Sequence, residues 1–492
     1  MPNISDLQLA AFSKIYGSGL SINDMWIKFL TADGNSRVSS LTDLQTPKVM
    51  ATPPTLGAAV TATAIVSPQI RAVSTSATGA ELDTTFFSTP VGGAWVKAGT
   101  SNPLYRYAVT PASTTGYGSS RQTIEFVVDC LAFEIMYGGF ATSYRIWVDG
   151  ELVSATPITV PNDTLAYWKP ITFGSRGVRH IVIETDQGMK FGGVTIGPND
   201  TVMPSAVRRP KCLLIGDSFS GATGASVSLL GYAWDLANRL GWDVWTQSQG
   251  GSSYTNVGSS SGNFISRIAA HAAIPFDIVM FEGGVTDRYT QSTIQADAEA
   301  TFALAKTTWP KALVIATSPL INRGVEGWNA FLYMTLLSKV KAAATNQNVM
   351  FVNLMEMPFA GNTALSGTFT STHTGGGATL LSSKAFAVGA TIEMSPGLSN
   401  AERRIVTACS GAASPYTLTI SASWNTHTSG ESITQVGNCL WTGVGRVGTT
   451  TGVGNCDLYV CSDDLHPSDA GHAAIGSALA HAIAYQLKLA SQ

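Results

Sequence analysis

From residue 209 onward, the sequence alternates between short apolar runs and longer segments with helical periodicity. A connection that returns through a helix makes consecutive strands parallel, and helices then cover both faces of the sheet. Ligands of such sheets bind beyond the carboxyl ends of the strands. We therefore predict a parallel sheet between two helical layers, with the functional residues at that edge. The predicted strands are 212–215, 243–246, 277–281, 312–317 and 349–353, and the predicted helices are 232–240, 264–273, 293–309 and 328–344.

The preceding part of the chain has a different texture. Residues 48–207 are rich in Thr, Ser, Val and Gly, with short alternating runs at 123–129, 144–148 and 180–184. Strands separated by turns such as Asp149-Gly150, without intervening helices, are typical of a β-sandwich. Residues 1–47 carry two helical patterns, at 6–16 and 22–30, and we interpret them as an attachment segment.

The α/β alternation is interrupted near its end. Residues 362–449 are rich in Gly, Ser and Thr, with β-strand patterns at 390–394, 404–407 and 416–420. A stretch of this length is too long for a loop, so we predict an inserted β subdomain. The α/β domain would then comprise 208–361 and 450–492, the latter ending in an Ala-rich amphipathic helix that Pro467 would open.

Composition narrows the classes of partner. The 492 residues include 49 glycines, only 12% are charged, and the net charge is −3, which favours extracellular or virion material and offers no basic surface for nucleic acid. We expect no membrane span and no secretory signal peptide.

Cys130 and Cys212 lie in apolar runs and are predicted to be buried thiols. The remaining four allow three disulfide connectivities, which the sequence leaves open: Cys409, Cys439, Cys456 and Cys461.

Two short motifs supply the parts of a nucleophilic site. Gly216-Asp217-Ser218 follows the first apolar run, so Ser218 would lie at a strand tip. Asp463 precedes His466 by three residues, a spacing that lets a carboxylate orient the imidazole. Asp464 is the less favoured orienting acid. A serine, a base and an acid can together deprotonate a hydroxyl and attack a carbonyl.

These motifs belong to a set of four that resembles the SGNH or GDSL hydrolases. The other two blocks are the Gly-rich turn at 248–252 and Gly284-Val285-Thr286-Asp287, and all four occur in the family's order on the expected elements. The resemblance covers about 200 residues of the chain and implies a flavodoxin-like α/β/α SGNH hydrolase domain. It also implies that no metal or organic cofactor is required.

The resemblance assigns a role to each block. Ser218 would be the nucleophile, His466 its base and Asp463 the orienting acid. The backbone N–H groups of Ser218 and Gly251 would form the oxyanion hole, with Gly250 as the alternative to Gly251. Thr286 stands where the family usually has asparagine, so a shorter hydroxyl would replace an amide as the third donor.

Further residues are candidates for contact with substrate. Glu282 and Asp287 lie near the third strand tip, where Asp287 is also expected to hold the loop, and Trp424 in the insertion is suited to stacking on a sugar ring. His373 and His427 are expected in solvated loops of the insertion, with a contact to substrate as the less favoured alternative. A metal site at Cys456, Cys461 and His466 is disfavoured because no matched fourth ligand is apparent.

Residues 133–137 and 144–153 resemble the jelly-roll module that precedes the hydrolase domain in some carbohydrate acetylesterases, and the insertion resembles β modules of phage tail proteins. The combined expectation is a phage tail or extracellular esterase that removes acetyl groups from an acetylated polysaccharide such as bacterial capsule or O-antigen. Such tail proteins are often trimers, so a homotrimer is one expected assembly. The alternatives are an inert glycan-binding adhesin and a lipid or thioester hydrolase.

Overall fold

The computed structural model describes most of the chain beyond residue 46. Within that part it contains sheets of nine, five and six strands and one two-stranded hairpin. The helices expected at 6–16 and 22–30 lie outside the described residues, and the predicted domain boundaries stay predictions. The described ranges are 47–72, 86–88, 94–97, 106–109, 121–139, 142–186, 189–207, 209–258, 262–284, 286–287, 292–319, 330–353, 366–386, 390–396, 398–420, 423–438, 461–463 and 465–491.

The first sheet occupies the region for which a sandwich was predicted. Its strands are β1 (Thr55–Leu56), β2 (Gln69–Ala72), β5 (Arg121–Gly138), β6 (Ser143–Val148), β7 (Glu151–Leu152), β8 (Ile158–Thr159), β9 (Ala166–Asp186), β10 (Lys190–Ile196) and β11 (Thr201–Pro204), and β3 (Ala94–Lys97) with β4 (Arg106–Val109) forms the separate hairpin. The strand pairs are antiparallel, and the central path runs β2-β10-β5-β9-β6-β7. The sandwich architecture itself stays a prediction.

Alternate residues of β5 point to two different environments. Ile124 and Phe126 join the apolar core of this sheet, whereas Glu125 between them is also buried and forms an ion pair with Arg209. A buried carboxylate needs such a partner because water no longer solvates it. Glu184 on β9 accepts hydrogen bonds from Arg121 at 2.8 Å and from Asn238, ahead of the parallel sheet's second strand, at 3.2 Å. Buried polar contacts therefore join the antiparallel sheet to the α/β part.

The second sheet is the predicted parallel sheet. It consists of β12 (Lys211–Gly216), β13 (Asp243–Ser248), β14 (Ile278–Glu282), β15 (Leu313–Thr317) and β16 (Met350–Val352). All four strand pairs are parallel, in the order β13-β12-β14-β15-β16. This is the flavodoxin-like order, in which the chain reverses its direction of winding after the first strand. The sequence prediction is confirmed for all five strands.

Helices cover both faces of this sheet because its strands are apolar on both sides. The helices are α1 (Tyr232–Leu240), α2 (Phe264–Ala269), α3 (Ile294–Thr308), α4 (Ala330–Asn346) and α5 (Asp469–Ser491). Cys212 and Leu214 of β12 share one core with α1 and α5, whereas Leu213 and Ile215 share another with α2, α3 and α4. The three-layer arrangement follows from this alternation.

Several helix boundaries differ from the sequence prediction by one to four residues, and two of these differences have a local explanation. Helix α2 ends at Ala269 instead of residue 273, because His271 donates its N–H to the carbonyl of Ile268, three residues back, and the chain continues in tight turns. Helix α5 begins at Asp469, and the Ser468 hydroxyl accepts the N–H of Gly471 at 3.2 Å. A serine cap explains why Pro467 lies ahead of the helix rather than in its first turn. No helix in the described ranges is long and apolar enough to cross a membrane.

The third sheet lies between β16 and α5, where an inserted β subdomain was predicted. Its strands are β17 (Ser366–Thr368), β18 (Thr379–Ser382), β19 (Ala390–Met394), β20 (Glu402–Ser410), β21 (Tyr416–Ile420) and β22 (Ser432–Asn438), in the antiparallel order β17-β22-β19-β20-β21-β18. It has an apolar core of its own that includes Phe369, Ile392, Val406 and Leu418. We call this sheet the insertion sheet.

Candidate active site

The nucleophile candidate follows the carboxyl end of β12. Ser218 is half-buried in a turn that begins immediately after Gly216. A Cβ on Gly216 would lie 2.2 Å from the Ser220 hydroxyl oxygen, so only glycine lets the chain fold back this tightly. The Ser220 hydroxyl also lies 2.7 Å from that of Ser248 at the end of β13. The turn is thus tied to the neighbouring strand tip.

The structure brings the three predicted catalytic side chains together. The Oγ of Ser218 lies 2.8 Å from Nε2 of His466, and Nδ1 of His466 lies 2.6 Å from Oδ2 of Asp463. Because a carboxylate only accepts, Nδ1 carries the hydrogen and Nε2 is left to accept the serine hydroxyl hydrogen. The order of contacts is that of a serine nucleophile, a general base and an orienting acid.

Asp463 is fixed although 45% of its side chain is exposed. Its Oδ1 accepts the N–H groups of Leu465 and His466 and the thiol of Cys461, each at 2.9 Å. Partial burial opposes ionisation, but these hydrogen bonds outweigh it and hold the pKa of Asp463 well below its usual range. The acid therefore stays ionised and oriented. Asp464 lies outside the described residues.

Contacts with the nucleophile turn place the histidine segment. The ring of Phe219 lies 5.6 Å from that of His466, and a Cβ on Gly224 would come within 2.4 Å of the Pro467 carbonyl. The missing side chain at Gly224 therefore lets the two segments approach closely. Behind them, His472 on α5 accepts the N–H of Tyr232 at 3.3 Å. These contacts join parts of the chain that are about 240 residues apart.

The two glycines of the second block differ in position. A Cβ on Gly250 would lie 3.7 Å from the Cβ of Ser218, whereas one on Gly251 would meet only Gly258 within 4 Å. Gly251 has a φ of 75°, a left-handed conformation that glycine adopts without strain. Gly250 is therefore adjacent to the nucleophile, and Gly251 provides the turn. Both stay candidates for the second oxyanion donor.

Thr286 does not present a hydroxyl hydrogen to the nucleophile. Its Oγ1 donates to the carbonyl of Ser252 at 3.1 Å. A hydroxyl has only one hydrogen, so in this arrangement Thr286 is not available as the third oxyanion donor that the motif comparison predicts. Its contact instead joins the third block to the second.

Asp287 holds residues 254–256, which follow the Gly-rich turn at 248–252. It is fully buried and accepts the N–H groups of Tyr254, Thr255 and Asn256 at 3.2, 3.1 and 2.9 Å. The expected loop-holding role is supported by these contacts. The alternative role as a substrate contact is wrong, because the buried carboxylate is turned into the protein and its acceptor sites are occupied by backbone donors.

Glu282 is buried beneath the nucleophile turn and does not face substrate. Its carboxyl accepts the hydroxyl of Tyr232 at 2.9 Å, and only 1% of the residue is exposed. Burial raises its pKa well above the usual range, and the nearby Asp217 carboxylate raises it further. Burial likewise raises the pKa of Asp217 to about 7. Glu282, predicted as a substrate contact, is therefore part of a buried acid pair with Asp217.

Arg267 is a site residue that the sequence analysis missed. It is fully buried on α2 and donates to the Gly216 carbonyl at 2.9 Å, the Gln247 carbonyl at 2.6 Å and the Ser252 hydroxyl at 2.7 Å. It thus ties the nucleophile strand to the Gly-rich turn. The signal was an arginine three residues after Phe264, on the apolar side of a short helix.

The insertion sheet holds the remaining candidates. Trp424 is 66% exposed, and its role in substrate binding stays a prediction. His373 and His427 were expected in solvated loops, which is wrong: they are 5% and 0% exposed. Each ring has hydrogen-bond partners, including the Ser423 hydroxyl at 2.6 Å from His373 and Glu402 at 2.9 Å from His427. Buried histidines need such partners because both ring nitrogens are polar.

The cysteines and possible metal ligands add no further site in the described ranges. Cys130, Cys212, Cys409 and Cys461 are free thiols, and the first two are buried as predicted. Cys439 and Cys456 lie outside the described residues. Over the ranges that the structure describes, no group of three or more His, Cys, Asp or Glu side chains is arranged to hold a metal ion.

Comparisons with known proteins give distant structural similarities. The chain is similar to a family two carbohydrate esterase from Clostridium thermocellum in complex with cellohexaose, at 17% identity over 55% of this chain and 88% of that one, with a TM-score of 0.41. It is similar to an acetyl xylan esterase from the rumen bacterium Butyrivibrio proteoclasticus at 12% identity over 58% and 89%, with a TM-score of 0.40.

A salicylyl-acyltransferase from a tetracycline biosynthetic pathway is similar at 13% identity over 58% of this chain and 86% of that one, with a TM-score of 0.44. A putative GDSL-like lipase from Bacteroides ovatus is also among the similar structures. No protein-family model and no curated protein matches the chain.

Proposed function

We propose that the protein is a serine esterase that removes short acyl groups, above all acetyl, from a polysaccharide. The observation that supports this is the hydrogen-bonded chain from Ser218 through His466 to Asp463, at 2.8 and 2.6 Å. Folding does not require that the hydroxyl of a half-buried serine lie against an oriented imidazole. Nucleophilic catalysis does require this arrangement.

The reaction follows from these contacts. Nε2 of His466 takes the hydroxyl proton as Ser218 Oγ attacks the ester carbonyl, and Asp463 stabilises the imidazolium that forms. The N–H of Ser218 and that of Gly250 or Gly251 stabilise the oxyanion. His466 then donates this proton to the sugar oxygen as the bond from that oxygen to the acyl carbon breaks, so the sugar departs as an alcohol and the acyl group stays on Ser218. Water, activated by the same imidazole, releases the carboxylic acid and regenerates the serine.

The nucleophile assignment is tested with Ser218→Ala and p-nitrophenyl acetate. The variant should lose at least about 10³-fold in kcat/KM, since acyl transfer through the serine is removed. Ser338→Ala on the exposed surface of α4 is the matched control and should retain full activity. Equal rates for Ser218→Ala and the parent would refute the assignment.

The acyl preference is tested with nitrophenyl esters of increasing chain length and with acetylated polysaccharides. A short-chain esterase should lose rate steeply beyond acetate, and mass spectrometry of the polysaccharide should show loss of acetyl mass. Faster hydrolysis of long-chain esters would instead favour the lipid or thioester hydrolase.

A second candidate, an adhesin with a weak or inert site, is favoured by the bond from Thr286 to Ser252, which removes one expected oxyanion donor. It predicts glycan binding without release of acetate.

Location on a phage tail or outside the cell, and assembly as a homotrimer, are proposals from the sequence alone. Measurement of the molecular mass in solution tests the trimer.

A further inference from the structure

Trp424 is an unusual residue in the insertion sheet because its large apolar ring lies at the surface. It is 66% exposed, whereas the tryptophans at 147, 234, 242, 245 and 309 are at most 8% exposed and Trp168 is half-buried. A single exposed apolar side chain is common and carries no functional meaning by itself. Its surroundings distinguish Trp424 from such a residue.

The ring is held from one side by a buried cation. The guanidinium carbon of Arg404 lies 4.5 Å from the Trp424 ring centroid, and the Arg404 side chain is only 5% exposed. A guanidinium over the face of an aromatic ring is an attractive arrangement that fixes the orientation of the ring. Since the cation is on the buried side, the exposed area of Trp424 is turned to solvent.

The backbone of Trp424 is fixed by the carboxylate of Glu402. One oxygen of Glu402 accepts the Trp424 N–H at 3.0 Å, and the other accepts the Asn425 N–H at 3.0 Å and lies 2.9 Å from Nε2 of His427. Burial opposes ionisation of Glu402, but these hydrogen bonds and Arg404 outweigh it and lower its pKa. The carboxylate and the guanidinium also form an ion pair, so this support is locally neutral.

A glycine turn fixes the loop from its other side. The N–H of Gly376 donates to the Ser423 carbonyl at 2.7 Å, and the N–H of Ser423 donates to the Gly377 carbonyl at 3.0 Å. A Cβ on Gly375 would lie 2.8 Å from the Trp424 carbonyl oxygen, so the turn approaches this closely only because the residue is glycine. The loop that carries Trp424 therefore needs little further ordering when a ligand binds, which favours affinity.

The groups beside the ring are polar, and most of them are uncharged. The Asn425 side-chain amide donates to the Asn400 carbonyl at 3.1 Å, and the Asn400 amide donates to the Thr426 carbonyl at 2.9 Å and to the Glu431 carboxylate at 3.0 Å. An aromatic face bordered by amides and backbone groups suits a saccharide ring, whose C–H face is apolar and whose edge carries hydroxyls. A charged peptide would find no exposed counter-charge in the Glu402 and Arg404 pair.

We propose that Trp424 is a preorganised stacking platform that binds a saccharide ring of a glycan, as a binding site separate from the Ser218 nucleophile. That this glycan is also the acylated substrate rests on the proposed function. Binding of a glycan by Trp424 does not depend on it. The site would hold the polymer while successive esters are presented to the nucleophile.

The test measures binding and catalysis separately. In a Ser218→Ala background, which prevents turnover, the protein is applied to an array of immobilised plant and bacterial polysaccharides. Trp424→Ala should weaken binding at least about tenfold, the loss typical of truncating an aromatic anchor, and Trp424→Phe should retain part of it. Val178→Ala, a substitution at a residue 65% exposed on the first sheet, is the matched control and should bind like the parent.

In the catalytically intact background, Trp424→Ala should raise KM for the acetylated polysaccharide at least about tenfold, whereas Val178→Ala should keep the parental kinetics. If the parent binds no glycan, or if Trp424→Ala binds as well as the parent with unchanged thermal unfolding, the platform is refuted. If the parent fails to hydrolyse any ester while Trp424-dependent glycan binding persists, the esterase proposal fails and the platform stands.

Discussion

His472 should make the α/β part of the protein sensitive to acid. The residue is fully buried on α5, where Nδ1 accepts the N–H of Tyr232 at 3.3 Å and Nε2 donates to the Thr223 carbonyl at 3.1 Å. This pattern fits only the neutral ring. Protonation would place an N–H on Nδ1, facing the N–H of Tyr232, and would leave a buried charge.

The magnitude follows from the pKa. Burial lowers the pKa of His472 from 6.5 to about 4, although the Thr223 carbonyl opposes this shift. Between these values the unfolded chain binds the proton and the folded chain does not, so stability is lost as the pH falls. The contribution is complete above about pH 6.5 and decreases by about 3 kcal/mol by about pH 4, since each pKa unit corresponds to about 1.4 kcal/mol.

The assay compares the parent with His472→Gln, whose amide can still donate to Thr223 but does not titrate. Urea denaturation followed by helical circular dichroism gives the free energy of unfolding at several pH values. Asp217 and Asp243 have raised pKa values and titrate in the same range, but their contributions are shared by both proteins. The advantage of the parent over the variant should therefore shrink by about 3 kcal/mol between about pH 7 and pH 4. A pH-independent difference would refute the reasoning.

Two further predictions concern the catalytic loops. Thr286→Val should leave kcat for p-nitrophenyl acetate within about threefold of the parent, because the hydroxyl is engaged with the Ser252 carbonyl; a loss of about 10²-fold or more would show that Thr286 donates to the oxyanion after all. Cys461→Ala should lower kcat several-fold by removing one donor to Asp463, whereas Cys461→Ser should retain most of the rate. Steady-state kinetics checks both, and equal rates for the alanine and serine variants would contradict a hydrogen-bonding role for the thiol.

The parallel sheet could be predicted from the sequence because its strands are covered on both faces. Runs such as 212–215 are apolar without interruption. This pattern indicates a strand buried on both faces and does not depend on the sequences of the helices that cover it. The position of Ser218 after the first of these strands was predicted correctly. The motifs, which specify residue type and position along the fold, also predicted that Asp463 and His466 would lie beside it.

The polar interior could not be predicted in the same way. Glutamate and arginine are usually found at the surface, and only the tertiary structure reveals that Glu282 and Arg267 are buried. Glu282 lies near a second acid, Asp217, and Arg267 donates to backbone carbonyls. His373 and His427 were misplaced for the same reason, since their partners lie up to 50 residues away. Sequence periodicity reports where apolar groups go, whereas burial of a polar group depends on partners that are distant in the chain.

The separation of 248 residues between Ser218 and His466 has a consequence for the order in which the site is made. At about 5 to 20 residues per second, a ribosome adds the histidine roughly 10 to 50 seconds after the serine. Throughout that interval the nascent chain carries the serine hydroxyl without the imidazole that would activate it. The proposed esterase activity would therefore begin only after the insertion sheet has been synthesised and α5 has docked, so the first appearance of that activity would mark completion of the α/β part.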